Sequence, residues 1–362
     1  MTEPKPDIRQ LSLEALEQWF VSQGEKPYRA KQVYEWLWNK NAGSFDEMTN
    51  LGKALRQKLK EAFRISKAGL QQIQQSADGT LKNAVGLPDG LVVESVVIPS
   101  GKRLTVCISS QVGCSLDCRF CATARLKRMR NLSAGEIVDQ VVQAREQSKE
   151  YFDNRLTNIV FMGMGEPLLN YDNVLRAIRI MTDPKGLGIS PKRIVLSTAG
   201  IPKMIKRLAD DDPGVGLAVS LHAAQDEVRN QIMPVNSRTG GLKALAEALQ
   251  YWYDKTGRKI TFEYMPLAGI NDNDEALKAL VRYASQIPSK VNLIRYNPTD
   301  SFDPFRQADE KWFEKYRDTL QQKGIVATIR QSAGADIDAA CGQLAGKWEK
   351  DTPSIPYKKL RL

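Results

Sequence analysis

From Leu104 onward, short apolar runs alternate with amphipathic segments, and this alternation leaves the chain few folds to choose from. The runs are Leu104–Ser110, Asn158–Met164, Arg193–Ser197, Val215–Leu221, Lys259–Met265 and Val291–Tyr296. Each precedes a segment of helical periodicity: one opening at Ser133-Ala-Gly-Glu136, then Asn173–Met181, Ile201–Leu208, Leu242–Tyr253, Glu275–Ile287 and Lys311–Lys323. Ser133 and Glu136 have the form of a capping box, which marks a helix start. Six strand–helix units of this length suit right-handed crossovers between parallel strands, so the fold class is α/β. Six units do not close an eight-stranded barrel. An open (βα)6 partial barrel and a doubly wound sheet both fit, and periodicity does not choose between them.

Upstream the pattern differs. Residues 9–64 read as helical: Val33, Leu37 and Trp38 stand at helical spacing within Tyr28–Trp38, and Leu51–Phe63 repeats the pattern. Thr80–Leu87 and Leu91–Ile98 read as strands flanking Pro88-Asp-Gly90, a hairpin signal. The expected organisation is a helical accessory domain over 1–75 and a β-hairpin extension over 76–100. The α/β unit then covers 101–345, and a basic tail covers 346–362.

Charge and cysteine usage narrow the function classes. The chain carries 52 Lys and Arg against 42 Asp and Glu, a net +10. Residues 1–100 hold 13 basic and 12 acidic side chains, so the excess lies downstream. Its densest piece is Arg119, Arg125, Lys127, Arg128 and Arg130, with no acid between them; Lys358, Lys359 and Arg361 form a second cluster. Such a surface attracts polyanions, although a merely soluble basic protein has the same balance. No apolar run approaches the roughly 20 residues of a membrane span, and the N-terminus lacks the pattern of a secretory signal. Five cysteines, an odd number in a long chain, argue against a disulfide scaffold and for a reducing cytoplasm. With one histidine, no multi-His zinc site can be built.

In either α/β architecture, chemistry collects beyond the C-terminal ends of the strands. The polar residues fall there: Cys114–Cys121, Gly165-Glu166-Pro167, Ser197-Thr198, Ser220 with His222, and Asn297-Pro298. Cys114-Ser-Leu-Asp-Cys118-Arg-Phe-Cys121 places three thiols within eight residues, enough to wrap one metal centre. A tetrahedral zinc site needs a fourth ligand, and none follows at the usual spacing. An iron–sulfur cluster of four irons normally takes four cysteines, so three leave one iron open to a small molecule. The spacing therefore favours a catalytic cluster over a structural one. On residue type alone, Cys107 in an apolar strand and Cys341 among alanines read as ordinary thiols. Alternation does not decide which way Glu94 faces.

The cysteine segment resembles the cluster motif of the radical S-adenosylmethionine superfamily, matched by Cys114, Cys118, Phe120 and Cys121. Three further motifs carry a resemblance to the RlmN/Cfr family of RNA adenine methyltransferases. They are Ser110-Gln-Val-Gly-Cys114, Gly163-Met-Gly-Glu-Pro-Leu-Leu-Asn170 and Asp336-Ile-Asp-Ala-Ala-Cys341-Gly-Gln-Leu344. The resemblance extends over nearly the whole chain, including Phe45-Asp-Glu-Met-Thr-Asn-Leu51 in the helical module. It implies a partial (βα)6 radical S-adenosylmethionine barrel and one [4Fe–4S] cluster on Cys114, Cys118 and Cys121. S-adenosylmethionine is then contacted by Gly165, Glu166, Ser197, Ser220, Leu221, His222 and Asn297.

The implied activity is methylation of adenosine C2 in 23S rRNA and in the anticodon loop of tRNAs, with two S-adenosylmethionine molecules consumed per turnover. By the resemblance, Cys341 accepts a methyl from the first molecule. A 5′-deoxyadenosyl radical from the second removes hydrogen from that S-methyl group, and the carbon radical adds to the base. Cys107 then resolves the adduct through a transient disulfide with Cys341, and Glu94 takes the ring proton. A one-electron donor such as a flavodoxin or ferredoxin is implied as partner. Two alternatives accompany this reading: a Cfr-type C8 methyltransferase of 23S rRNA, and an RNA-binding protein with a structural metal centre.

Overall fold

A computed structural model of the protein describes residues 5–126, 128–299 and 304–345. Lys127 and the basic cluster at Lys358, Lys359 and Arg361 lie outside the described residues, as does the whole tail expected over 346–362. The chain begins with α1 (Leu13–Ser22), α2 (Tyr28–Trp38) and α3 (Lys53–Ala62). Ser12 starts α1 by accepting from the Ala15 amide, one of the donors a helix N-terminus leaves unpaired. Phe20, Val33, Leu37, Leu55 and Leu59 bury one face of each helix in a common apolar core.

Next come β1 (Gly69–Gln75), β2 (Leu81–Gly86) and β3 (Val92–Ser100), antiparallel neighbours, with β3 also antiparallel to β4 (Arg103–Cys107). The expected hairpin is β2–β3. The strand β1 adds to it, at the sheet edge. Its sequence, Gly-Leu-Gln-Gln-Ile-Gln-Gln, buries only Ile73, so hydrophobicity gave no strand signal; ladder hydrogen bonds to β2 hold it instead.

The first strand–helix unit runs from β4 through β5 (Gln111–Val112), α4 (Ala122–Arg125) and β6 (Arg130–Asn131) to α5 (Ala134–Glu150). The second and third are β7 (Asn158–Phe161) with α6 (Tyr171–Thr182), and β8 (Ile194–Thr198) with α7 (Pro202–Asp211). The fourth passes from β9 (Gly216–Ser220) through α8 (Asp226–Ile232) and α9 (Val235–Arg238) to α10 (Gly241–Thr256). The last two are β10 (Ile260–Tyr264) with α11 (Asp274–Ser285), and β11 (Ser289–Ile294) with α12 (Glu310–Gln322). A seventh parallel strand, β12 (Val326–Arg330), follows; most of it is exposed at the other sheet edge, which is why no apolar run announces it.

The sheet order is β1-β2-β3-β4-β7-β8-β9-β10-β11-β12, and every pairing from β4 onward is parallel. Strands are added in sequence order, with no reversal. A doubly wound sheet needs a point where the order reverses, so the fold is an open partial barrel of six βα units. Ile159, Leu196, Leu217, Phe262 and Leu293, from five successive strands, share one apolar core with Ile178, Ile205, Leu249 and Leu280 of the surrounding helices. No helix among the described residues is long and apolar enough to cross a membrane.

One buried ion pair joins the helical module to the barrel. Arg9, 3% exposed, grips Asp139 of α5 with two hydrogen bonds, 2.9 and 2.6 Å, and lies 4.7 Å from the Trp38 ring centre. It also donates to the carbonyls of Ser66 and Gly135. Asp139→Ala strands this guanidinium without a counter-charge, which costs about 3–5 kcal/mol. Chemical denaturation measures it; a loss below about 1 kcal/mol, the scale of an exposed pair, shows that the junction is held otherwise.

Candidate active site

The C-terminal ends of the parallel strands open on one cavity of about 630 Å³. Eleven residues singled out from the sequence line it: Cys107, Cys114, Cys118, Cys121, Gly165, Glu166, Ser197, Ser220, His222, Asn297 and Cys341. Two do not. Leu221 is buried in the core, with its amide on the Glu263 carbonyl and its own carbonyl held by Arg229. Glu94 lies behind the wall at 0% exposure, its Oε1 3.2 Å from Lys82 Nζ and its Oε2 accepting from the Ala345 amide.

The cysteine loop is pinned by its own backbone. The Cys121 amide donates to the Cys118 carbonyl, the Arg119 amide to Ile232 at the end of α8, and the Cys114 amide to Leu126. Leu116 packs with Ile232, Met233 and Val235, so the α8–α9 excursion braces the loop from outside. Arg238 of α9 adds an ion pair to Asp117 at 3.2 Å. Phe120 meets His222 edge-on, ring centres 4.8 Å apart, and helps close the cavity over the thiols.

Burial pushes the Cys114 thiol up to about 11; it pushes Cys118 well above its ordinary value, with the charges of Cys121 and Cys114 adding to the shift. Two buried thiols so disfavoured as thiolates gain from a cationic centre beside them, the kind of centre an iron–sulfur cluster would supply. Among the described residues, no group of three His, Cys, Asp or Glu side chains is gathered around a single-ion site.

Beyond β7, two glycines are required by packing. A Cβ on Gly163 would lie 2.7 Å from the Ile108 carbonyl, and one on Gly165, at φ +95°, would lie 2.5 Å from Gln111 Cβ. The close approach that Gly165 permits is thus to Gln111, whose Oε1 in turn accepts from the Glu166 amide at 2.9 Å. The Glu166 carboxylate accepts from the Leu168 and Ala199 amides and is directed to the cavity wall. Burial raises its pKa to about 7, against those two amides. A carboxylate held this way gains from a cationic ligand such as an ammonium group.

His222 adopts φ +55°, and its carbonyl accepts from Asn271 Nδ2 at 2.6 Å. Burial, with Arg229 adding, lowers its pKa to about 3, so the ring is neutral at physiological pH. Its Nδ1 is buried without a hydrogen-bond partner, a site ready for a polar ligand group.

Cys341 sits on a loop stitched to every side of the cavity. The Ala122 amide, directly after the last cluster cysteine, donates to the Gly342 carbonyl at 2.7 Å. Thr123 Oγ1 donates to Leu344, Gln343 Nε2 to Pro298, and Ser76 Oγ to Asp336. Cys107, at the end of β4 and 7% exposed, faces the same cavity. Its thiol is pushed up, foremost by burial and then by the charge of Cys341. The disulfide expected between them is not formed; all five cysteines are free.

Within the basic run after the cysteines, Arg130 has acidic partners. Arg130 makes a two-bond pair with Glu136, 2.9 and 2.8 Å, and a further contact to Asp89, so it anchors α5 to the β2–β3 turn. Its partners lie outside the run, which is why local charge counting missed them. Sequence reasoning also passed over Glu263, Arg229 and Arg330. Glu263 and Arg330 line the cavity, and Glu263 accepts from Asn292 Nδ2 at 2.9 Å. Both stand at strand ends, where the rule that found Ser197 and Ser220 applies equally.

Residues 7–65 match the family described as the ribosomal RNA large subunit methyltransferase N-terminal domain, and residues 108–281 match the radical SAM superfamily. A probable dual-specificity RNA methyltransferase RlmN of Christiangramia forsetii is 57% identical over 343 residues, 95% of this chain and 97% of that protein. A protein of the same description from Flavobacterium psychrophilum is also 57% identical, over 95% and 98% of the two chains. Among solved structures, a radical SAM methyltransferase from Sphaerobacter thermophilus superposes with a TM-score of 0.87 at 39% identity, covering 94% of this chain and 100% of that one.

Proposed function

Because the chain belongs to the RlmN family of radical S-adenosylmethionine RNA methyltransferases, we propose that it methylates adenosine C2 in 23S rRNA and in the anticodon loop of tRNAs, acting in the cytoplasm. The observation that carries this reading is the direct backbone bond between the cysteine loop and the Cys341 loop, with Cys107 on the same cavity. A protein with a merely structural metal centre has no use for either additional thiol.

A [4Fe–4S] cluster on Cys114, Cys118 and Cys121, reduced by a flavodoxin- or ferredoxin-type donor, supplies the electron for reductive cleavage of S-adenosylmethionine. Glu166 receives the ammonium group of that molecule, and Gly165 shapes the turn that aims the carboxylate. Ser197, Ser220 and Asn297 offer hydroxyl and amide groups around the remainder; His222 adds Nδ1. Leu221 contributes through the backbone that holds its neighbours in place.

Adenine C2 is electron-poor and does not attack a sulfonium methyl, so the carbon travels through the protein. Cys341 takes a methyl from one S-adenosylmethionine, and its S-methyl carbon gives up one hydrogen when a second is cleaved. That carbon bonds to C2, the ring proton goes to Glu94, and the odd electron of the adduct would return to the iron–sulfur centre. The Cys107 thiolate then attacks the Cys341 sulfur and breaks its bond to the methylene carbon, which takes a proton to become the methyl; a dithiol reductant returns the resulting disulfide to two thiols. The Glu94 carboxylate is buried, 3.2 Å from Lys82 Nζ and accepting from the Ala345 amide. Mass spectrometry of nucleosides from unmodified 23S rRNA treated with the reconstituted enzyme tests the assignment. It shows 2-methyladenosine; finding 8-methyladenosine instead, or no methyl on adenine, overturns it.

A further inference from the structure

Arg229 of α8 is 1% exposed and lies between the ends of β8 and β9. Its Nε donates to the Leu221 carbonyl at 3.0 Å, and Nη2 to the carbonyls of Ala199 and Ser220 at 2.6 and 3.1 Å. Nη1 donates to Asn236 Oδ1 at 2.6 Å. None of these acceptors is a carboxylate. Asp226 is reached only through Asn236, whose Nδ2 donates to it at 2.7 Å. Burying a guanidinium without an ion-pair partner is costly, and a methionine or leucine would fill such a place more cheaply.

What the charge touches explains its presence. Ala199 is the residue whose amide donates to Glu166, and Ser220 and Leu221 lead into His222. One guanidinium therefore fixes both strand ends that carry the S-adenosylmethionine contacts. The helix that bears it ends at Ile232, whose carbonyl holds the Arg119 amide between Cys118 and Cys121. Cys118 and Val228, the residue before Arg229, both pack against the cluster of Leu116, Ile232 and Met233, so the helix carries its cation alongside the cysteine loop.

We propose that Arg229 is a positioning residue with two separable roles: its fork locks the ends of β8 and β9 that seat S-adenosylmethionine, and its fixed charge behind Cys118 makes the cluster easier to reduce. The inference rests on the assignment of cluster and S-adenosylmethionine to this cavity. Reduction adds a negative charge to the cluster, and a permanent cation in a medium of low dielectric stabilises that state more than the oxidised one. Lysine can keep the charge but not the planar fork; methionine keeps neither.

Anaerobically reconstituted parent, Arg229→Lys and Arg229→Met proteins separate the roles. The cluster midpoint potential is read by electron paramagnetic resonance during a redox titration, and the Kd for S-adenosylmethionine by calorimetry. Arg229→Met shows a more negative potential and binding weakened by about tenfold or more, the scale of a lost charged hydrogen bond. Arg229→Lys keeps the parent potential while binding weakens. Should Arg229→Met not fold, Arg229→Gln takes its place, an uncharged amide whose potential falls below that of Arg229→Lys. A folded, cluster-loaded neutral variant with the parent potential and the parent Kd overturns the proposal. A parent protein that holds no cluster, or binds no S-adenosylmethionine, overturns the cavity assignment itself, and this inference with it.

Discussion

The Cys107→Ala protein remains covalently attached to its RNA. Cys107 and Cys341 line one cavity, as the proposed attack of the first on the sulfur of the second requires. Alanine leaves the methyl-donating thiol and the base-binding space intact but removes the nucleophile that releases the product. Turnover falls to a single, stalled event. A denaturing gel reads it directly, as a protein band carrying RNA. Cys341→Ala forms no adduct and no product, and the double variant behaves like Cys341→Ala. Free methylated RNA from Cys107→Ala contradicts the assignment of roles.

Cys118→Ala loses activity completely by a different route. Its thiol is one of the three proposed cluster ligands, on a loop held by backbone hydrogen bonds and by Leu116 packing, none of which needs the sulfur. The loop therefore keeps its fold while the cluster loses a ligand. After anaerobic reconstitution the variant lacks the broad visible absorption of an iron–sulfur cluster and releases no 5′-deoxyadenosine, with an unchanged far-ultraviolet dichroism spectrum. Cleavage of S-adenosylmethionine at the parent rate removes Cys118 from the ligand set.

The barrel was legible because each of its six strands is an apolar run beside a helix with one apolar face. The edge strands were not. Ladder hydrogen bonds hold β1 through a glutamine-rich sequence, and β12 is half exposed, so neither carries the hydrophobic signature. The choice between partial barrel and doubly wound sheet depended on strand order, a property of non-local pairing that no local window contains.

The same division runs through the site. The cysteine spacing is local, so eight residues suffice to propose a metal centre. The Cys341 loop is not local: its bonds to Ser76, Ala122 and Pro298 span much of the chain. Only the resemblance to a family drew Cys341 and Cys107 together before the fold was seen. Arg229 was missed because an arginine on a short helix reads as a solvated charge, whereas its meaning lies in three carbonyls from two other strand ends. Arg130 shows the same limit: its acidic partners, Glu136 and Asp89, lie outside the basic run that contains it.

The central claim is that the transferred carbon passes through Cys341 and loses one hydrogen there. S-adenosylmethionine with a fully deuterated methyl group tests it under multiple turnover. Mass spectrometry of the product nucleoside then shows a methyl with two deuterium atoms and one hydrogen, and the missing deuterium is recovered in 5′-deoxyadenosine. Transfer of the intact trideuterated methyl to adenine contradicts the account.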